Sequence, residues 1–168
     1  MKIVLIGYMA SGKSAVGVEL AKELNLKFID LDNYIEQKEQ KTIAEIFKDN
    51  GEIYFRKIES DCLNELLAEK NDVVLSLGGG TPCYGNNMDA IINNSKSIYL
   101  RTGIVTICSR LLNETNKRPL VSEISTEKLP EFIAKHLFER RFFYEKSNHV
   151  IDTDNKSIEE LVEVVLKF

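Results

Sequence analysis

The sequence predicts an α/β fold, a three-layer α/β/α arrangement in which one parallel sheet is covered by helices on both faces. Three observations carry this reading. Short apolar runs alternate with helical stretches along all 168 residues, the pattern of a parallel sheet with helical crossovers. The first run, Ile3-Val4-Leu5-Ile6, is apolar on both faces, as a strand buried between two layers must be. Directly after it stands Gly7-Tyr8-Met9-Ala10-Ser11-Gly12-Lys13-Ser14, which fits the G-x-x-x-x-G-K-[ST] pattern joining a strand to a helix.

Each element has its own signal. The stretch Lys13–Leu24 carries apolar residues at helical spacing (Val16, Leu20, Ala21, Leu24). Lys27-Phe28-Ile29 is a short second strand ending at Asp30. Asn33–Lys48 is expected to be helical and broken near Thr42, which can cap a second segment. Asn50-Gly51 is a turn signal. Glu52–Glu69 has a helical apolar stripe of Phe55, Ile58, Leu63, Leu66 and Leu67. Val73-Val74-Leu75 is a third strand, running into Gly78-Gly79-Gly80. Met88–Ile92 reads as helix, Ser97–Leu100 as the fourth strand and Val105–Leu112 as helix. A helix over about Glu131–Lys146 follows Pro130. Val150-Ile151 is the last strand, and Ser157 caps a closing helix that ends at Leu166.

Composition bounds the function. Hydrophobic residues make up 43% and charged residues 29%, the balance of a globular chain. Residues 1–168 form one domain with no repeat or linker to divide them. The net charge of −4 argues against broad nucleic-acid or anionic-membrane binding. The three cysteines, Cys62, Cys83 and Cys108, show no C-x-x-C spacing, so neither a disulfide framework nor a zinc site is indicated. No signal peptide or membrane-length apolar run is read. A monomer in the reducing cytoplasm is expected.

The chemistry starts at the first loop. Glycines at 7 and 12 let the backbone curl so that successive N–H groups face phosphate oxygens. Ala10, Ser11, Gly12, Lys13, Ser14 and Ala15 make up the nucleotide-binding stretch. Lys13 supplies a point charge for the β- and γ-phosphates, and the Ser14 hydroxyl can ligate Mg²⁺. The helix that begins here aims its positive end at the same phosphates. Asp30-Leu31-Asp32 ends the second strand, where alternation would point both carboxylates the same way. One can help hold Mg²⁺ through water, and the other can accept a hydrogen bond from an acceptor hydroxyl. The alternative is an N-cap for the helix at Asn33.

Gly78-Gly79-Gly80 lets backbone approach a ligand closely, or else is a flexible connection. Ser76 stands at the strand end where a hydroxyl can hold a metal-bound water. Arg56, Arg110, Arg118, Arg140 and Arg141 are the arginines of interest, since a guanidinium fork suits carboxylate and phosphate. Asn113–Ser125 is polar and interrupted by proline, and reads as a lid or as an ordinary surface loop. On a lid, Arg118 would reach the transferring phosphoryl group. His136 and His149 lack partners at triad or metal spacing and read as structural. Cys83 stands near the glycine run without a base to activate it.

In this order the motifs resemble the shikimate kinase family over essentially the full length. The resemblance rests on the phosphate loop, Asp30-Leu31-Asp32, Phe55-Arg56-x-x-Glu59, Gly78–Gly80, Arg118-Pro119-Leu120, and Glu139-Arg140 followed by Tyr144. It implies a nucleoside monophosphate kinase-like fold with a five-stranded parallel sheet in the order 2-3-1-4-5. A mobile lid over about 113–125 and an acceptor-binding helical segment over about 32–60 go with it. It implies transfer of the γ-phosphoryl of ATP to the 3-hydroxyl of shikimate, with Mg²⁺, on the route to chorismate and the aromatic amino acids. By the same resemblance, Asp30 and Ser14 lie on the metal side and Asp32 contacts the shikimate hydroxyls. Arg56 and Arg140 hold the carboxylate, Gly78, Gly79 and Gly80 complete the pocket, and Arg118 is the lid arginine. Arg110 falls on the ATP side. Ala10-Ser11 stands where the family loop is richer in glycine, a change that backbone contacts tolerate.

The rival readings are a gluconate or nucleotide kinase on the same fold, a GTPase, and a nucleotide-binding regulator without turnover. Two arginines with Asp32 suit a carboxylated polyol better than a nucleotide. Asn116-Lys117-Arg118-Pro119 lacks the aspartate that reads guanine. A regulator would have no need of Asp32, Arg56 and Arg140 together.

Overall fold

The computed structural model describes residues 1–113 and 124–168. Strands β1 (Lys2–Ile6), β2 (Lys27–Asp30), β3 (Val73–Ser76), β4 (Lys96–Arg101) and β5 (His149–Asp152) form one sheet in the order β2-β3-β1-β4-β5. Every pairing is parallel. The helices are α1 (Lys13–Glu23), α2 (Leu31–Glu39), α3 (Ile43–Ala68), α4 (Asn87–Asn94), α5 (Ile104–Asn113), α6 (Leu129–Tyr144) and α7 (Ile158–Leu166). Most of the lid expected over about 113–125, Arg118 included, lies outside the described residues.

Alternation along the strands sorts the core into two layers. Val4, Ile6, Val73, Leu75 and Tyr99 face α2–α6, where Leu31, Ile35, Leu63, Ile91, Ile107 and Ile133 complete one cluster. Ile3, Leu5, Val74, Ile98 and Leu100 face α1 and α7, packing against Val16, Leu20, Leu161 and Val165. Each fully buried aliphatic side chain contributes roughly 1.5–3 kcal/mol, which is why strands apolar on both faces specify a sheet sandwiched by helices. Gly17 brings α1 onto the sheet. A Cβ there would run into the Phe28 ring and lie 3.2 Å from Leu5 Cδ1.

Helix α2 starts at Leu31, two residues before the expected Asn33, because Asp30 caps it from the end of β2. Thr42 caps α3 as expected, through a capping box. Its side chain accepts from Glu45 N, and the Glu45 carboxylate accepts from Thr42 N at 2.7 Å. The turn expected at Asn50-Gly51 is present as a break between two helical segments that α3 joins end to end. Gly51 alone leaves the helical region (φ 82°, ψ 176°), and the helix resumes at once. Ser157 caps α7 through a second box with Glu160. A short 3₁₀ turn, Thr81–Cys83, follows the glycine run and had no sequence signal beyond Pro82.

Register aligns the strand ends. Leu5 pairs with Ser76, Ser76 with Asp30, and Ile6 with Tyr99. The loops after β1, β2 and β3 therefore open on one edge, the carboxyl edge where parallel sheets hold ligands.

Because the box at Thr42 serves both its backbone and that of Glu45, Thr42→Ala is expected to cost about 1 kcal/mol, with Thr42→Ser close to wild type. Urea denaturation reads this. An unchanged midpoint for the alanine variant would mean that the box does not hold the α2–α3 junction.

Candidate active site

The loop after β1 is held by its own residues. Gly12 sits at φ 93° and caps α1, a conformation that glycine adopts without steric cost. Gly7 is needed for a different reason, since a Cβ there would lie 2.6 Å from Ser11 Oγ and 2.9 Å from the Leu100 carbonyl. Ala10 adopts φ 57°. The alanine therefore takes a left-handed conformation that costs a non-glycine residue roughly 1–2 kcal/mol, so the backbone here does not accept it for free. Lys13 Nζ donates to the carbonyls of Gly7 (2.9 Å) and Tyr8 (2.8 Å) and lies 3.5 Å from Ser11 Oγ. Arg110 Nη1 donates to the Ala10 carbonyl at 2.9 Å, which sets this α5 arginine against the loop. Ser14 and Ala15 are exposed at the first turn of α1.

Asp30 does two things at once. Its Oδ1 caps α2 by accepting from Asp32 N (3.1 Å) and Asn33 N (3.3 Å), while Oδ2 accepts from Ser14 Oγ (3.3 Å). One carboxylate therefore caps the helix and also meets the Ser14 hydroxyl of the phosphate loop. Asp32 is in the first turn of α2, not in the strand, so strand alternation is not what aims it. Its Oδ1 would lie 3.2 Å from a Cβ on Gly78. Burial, with Asp30 and Glu59 nearby, pushes the Asp32 carboxyl up to about 6, and the Lys13 ammonium opposes the shift.

The glycine run is where the charged side chains meet. A Cβ on Gly79 would stand 3.1 Å from Arg140 Nη1, and one on Gly80 would stand 2.5 Å from Arg56 Nη2. The three glycines thus face Asp32, Arg140 and Arg56 in turn. The same imagined Cβ on Gly79 lies 3.6 Å from the Gly7 carbonyl that Lys13 holds. The expected convergence of Lys13, Asp32, Arg56 and Arg140 on one edge is present. The run leaves space for side-chain heads from three helices.

Supporting residues complete the cluster. Glu59 is 1% exposed and uses both oxygens, accepting from Arg56 Nη1 (2.7 Å) and Thr81 Oγ1 (2.6 Å). Asn87 Nδ2 donates to the Thr81 carbonyl at 2.9 Å, and Ser60 Oγ donates to Asn87 Oδ1 at 2.6 Å. Tyr144 Oη donates to the Gly79 carbonyl at 2.5 Å. Burial raises its phenol above the usual tyrosine value, against the pull of Arg140. His136 Nδ1 lies 3.0 Å from Tyr8 Oη, a contact in keeping with a structural histidine. The signals were the i, i+3 spacing of Arg56 and Glu59 and the i, i+4 spacing of His136, Arg140 and Tyr144 on one helix. Arg141 points elsewhere and pairs with Glu145 at 2.5 Å. Cys83 lies near Arg56 and Arg140, and burial raises its thiol, which leaves no activated nucleophile. All three cysteines are free.

Such a set can clamp an anion between two guanidinium groups and offer an acidic oxygen to a hydroxyl beside it. Ser14 Oγ and Asp30 Oδ2 are donors of the hard-oxygen type that Mg²⁺ takes with water and phosphate. Among the described residues, no three His, Cys, Asp or Glu side chains converge as a metal site.

Sheet order and phosphate loop together place this chain in the phosphate-loop class of nucleotide-binding proteins. A model of the shikimate kinase family matches residues 9–168, and the chain belongs to that family. The shikimate kinase of Flavobacterium johnsoniae is 44% identical over 170 residues, spanning 98% of this chain and 96% of the relative. The crystal structure of shikimate kinase from Bacteroides thetaiotaomicron matches with a TM-score of 0.93 at 34% identity, covering 99% of this chain and 97% of that one. The shikimate kinase from Acinetobacter baumannii in complex with shikimate matches with a TM-score of 0.88 at 32% identity, covering 99% and 90%.

The raised Asp32 value has a consequence for stability. A carboxyl that ionises less readily in the folded chain than in the unfolded one weakens the fold as it ionises. The penalty is absent below about pH 3, where both states are protonated. It grows up to about pH 6 and is constant above. Asp32→Asn is therefore expected to raise Tm by several degrees at pH 8 and by little at pH 4. A gain of equal size at both values, or none, would contradict the burial of this charge.

Proposed function

We propose that the chain transfers the γ-phosphoryl of ATP to the 3-hydroxyl of shikimate, giving ADP and shikimate 3-phosphate for aromatic amino acid synthesis. The observation that carries the reading is the row of charged heads, Asp32, Arg140 and Arg56, set against Gly78, Gly79 and Gly80 beside the loop that holds Lys13. Shikimate offers the complementary groups, a carboxylate and ring hydroxyls.

Arg56 and Arg140 bind the carboxylate, and clamping it from two helices fixes the ring. Asp32 accepts the proton of the hydroxyl that attacks. With a value near 6 it is ionised at neutral pH yet basic enough to help. Lys13 leaves its loop carbonyls for the β- and γ-phosphates, and the backbone of Ala10–Ala15 lines the nucleotide. Ser14 and Asp30 would hold Mg²⁺. When bound, the ion neutralises phosphate charge and orients the γ-phosphoryl group. Arg110 lies on the ATP side, and Arg118, outside the described residues, is the lid arginine. The chain acts as a single domain and a monomer in the cytoplasm, on small molecules and not on nucleic acid or membrane. Supporting this are the free thiols, the net charge of −4, and the lack, among the described residues, of a helix able to cross a membrane.

ADP release coupled to NADH oxidation tests the acceptor. Release is expected with shikimate and not with gluconate or nucleoside monophosphates. Lys13→Ala should abolish it, and Arg140→Ala should raise the shikimate KM tenfold or more, roughly the loss of a charge-assisted contact. Turnover of another acceptor with none of shikimate would overturn the reading.

A further inference from the structure

Tyr8 belongs to the phosphate loop, yet its side chain is buried. It is 1% exposed and packs in the core layer beneath α6. Its hydroxyl lies 3.0 Å from His136 Nδ1, and the two rings meet edge to face with centroids 6.1 Å apart. Phe132, one turn earlier on α6, backs the imidazole at 4.4 Å. One turn later, the Arg140 guanidinium lies over the Tyr8 ring, 5.6 Å from its centroid. The Tyr8 carbonyl, on the other side of the same residue, holds Lys13 Nζ. One residue therefore touches the nucleotide lysine by its backbone and the acceptor-side helix by its side chain.

We propose that the Tyr8–His136 hydrogen bond is a positioning contact that fixes the phosphate loop against α6, and so sets the distance between the transferred phosphoryl group and an acceptor held by Arg140. The inference rests on the acceptor reading above. The Tyr8 hydroxyl and His136 Nδ1 are engaged with each other, so the role assigned to both is positioning and not catalysis. Each half of the site keeps its own contacts without the bond: Lys13 with the loop carbonyls, Arg140 with the Tyr144 hydroxyl. What the bond adds is alignment between the halves, and alignment acts on the chemical step rather than on either binding step. Burial keeps the Tyr8 phenol protonated to about 12. Burial and Arg140 disfavour the imidazolium of His136. The contact is thus between two neutral groups at working pH.

The test is a double-mutant cycle of Tyr8→Phe and His136→Leu, with His136→Asn as the conservative variant, since Asn places a polar atom near the former Nδ1. Each single change is expected to lower kcat about fivefold, the scale of one hydrogen bond. The KM values for ATP and shikimate should stay within about twofold of wild type. The double variant should be no slower than either single one, and His136→Asn should recover most of the rate. A purely structural role would lower Tm without this split between kcat and KM. Unchanged kcat in Tyr8→Phe, losses that multiply in the double variant, or an asparagine variant as slow as leucine would each overturn the proposal while leaving the acceptor reading intact. A wild-type protein inactive on shikimate would overturn both.

Discussion

The site depends on three consecutive residues having no side chains. Gly78, Gly79 and Gly80 leave room for Asp32, Arg140 and Arg56, which come from three separate helices. The need is for space and not for unusual dihedrals, since none of the three has the positive φ found at Gly12 and Gly51. Two guanidinium groups set side by side repel each other, and burial would add to the cost unless each met an opposite charge or an acceptor. The chain meets this requirement with Glu59, whose two oxygens are both engaged, and with the Tyr144 hydroxyl beside Arg140. Among the described residues, no buried side-chain polar atom is left without a partner.

The two carboxylates of the cluster are in different positions. Glu59 is spent on structure, tying Arg56 to the Thr81 turn and through it to Asn87 and Ser60. Asp32 stands between Lys13 and the other acids and holds its proton more tightly than an ordinary carboxylate. Neighbouring acids with divergent environments are how one site divides fixed charge from proton transfer. Helix α6 does comparable work on the other wall. His136, Arg140 and Tyr144 recur every fourth residue, so one helical face reaches the phosphate loop, the cleft and the glycine run in succession.

Most of the fold was legible because strand burial and helix caps are local signals. Ile3–Ile6 declared a buried strand, and Thr42 and Ser157 declared helix starts that the capping boxes bear out. The phosphate loop and the aspartates after β2 were legible as motifs. What could not be read was whatever depended on residues distant in sequence. Thr81 receives its role from Glu59, His136 from Tyr8, and Gly17 from Phe28. Periodicity gives no hint that a histidine on a mixed helix faces a tyrosine 128 positions earlier. The Asn50-Gly51 turn was legible too, since Gly51 divides α3 into two helical segments. Ala10 holds a glycine-like conformation imposed by the loop around it.

The claim that vacancy at the glycine run positions the charged heads is tested most directly by Gly80→Ala. The new Cβ would lie 2.5 Å from Arg56 Nη2, the far end of a flexible side chain. The arginine should therefore yield before the backbone does. The expected result is a rise in the shikimate KM of about tenfold or more, with the ATP KM close to wild type. A shikimate KM unchanged from wild type would contradict the account.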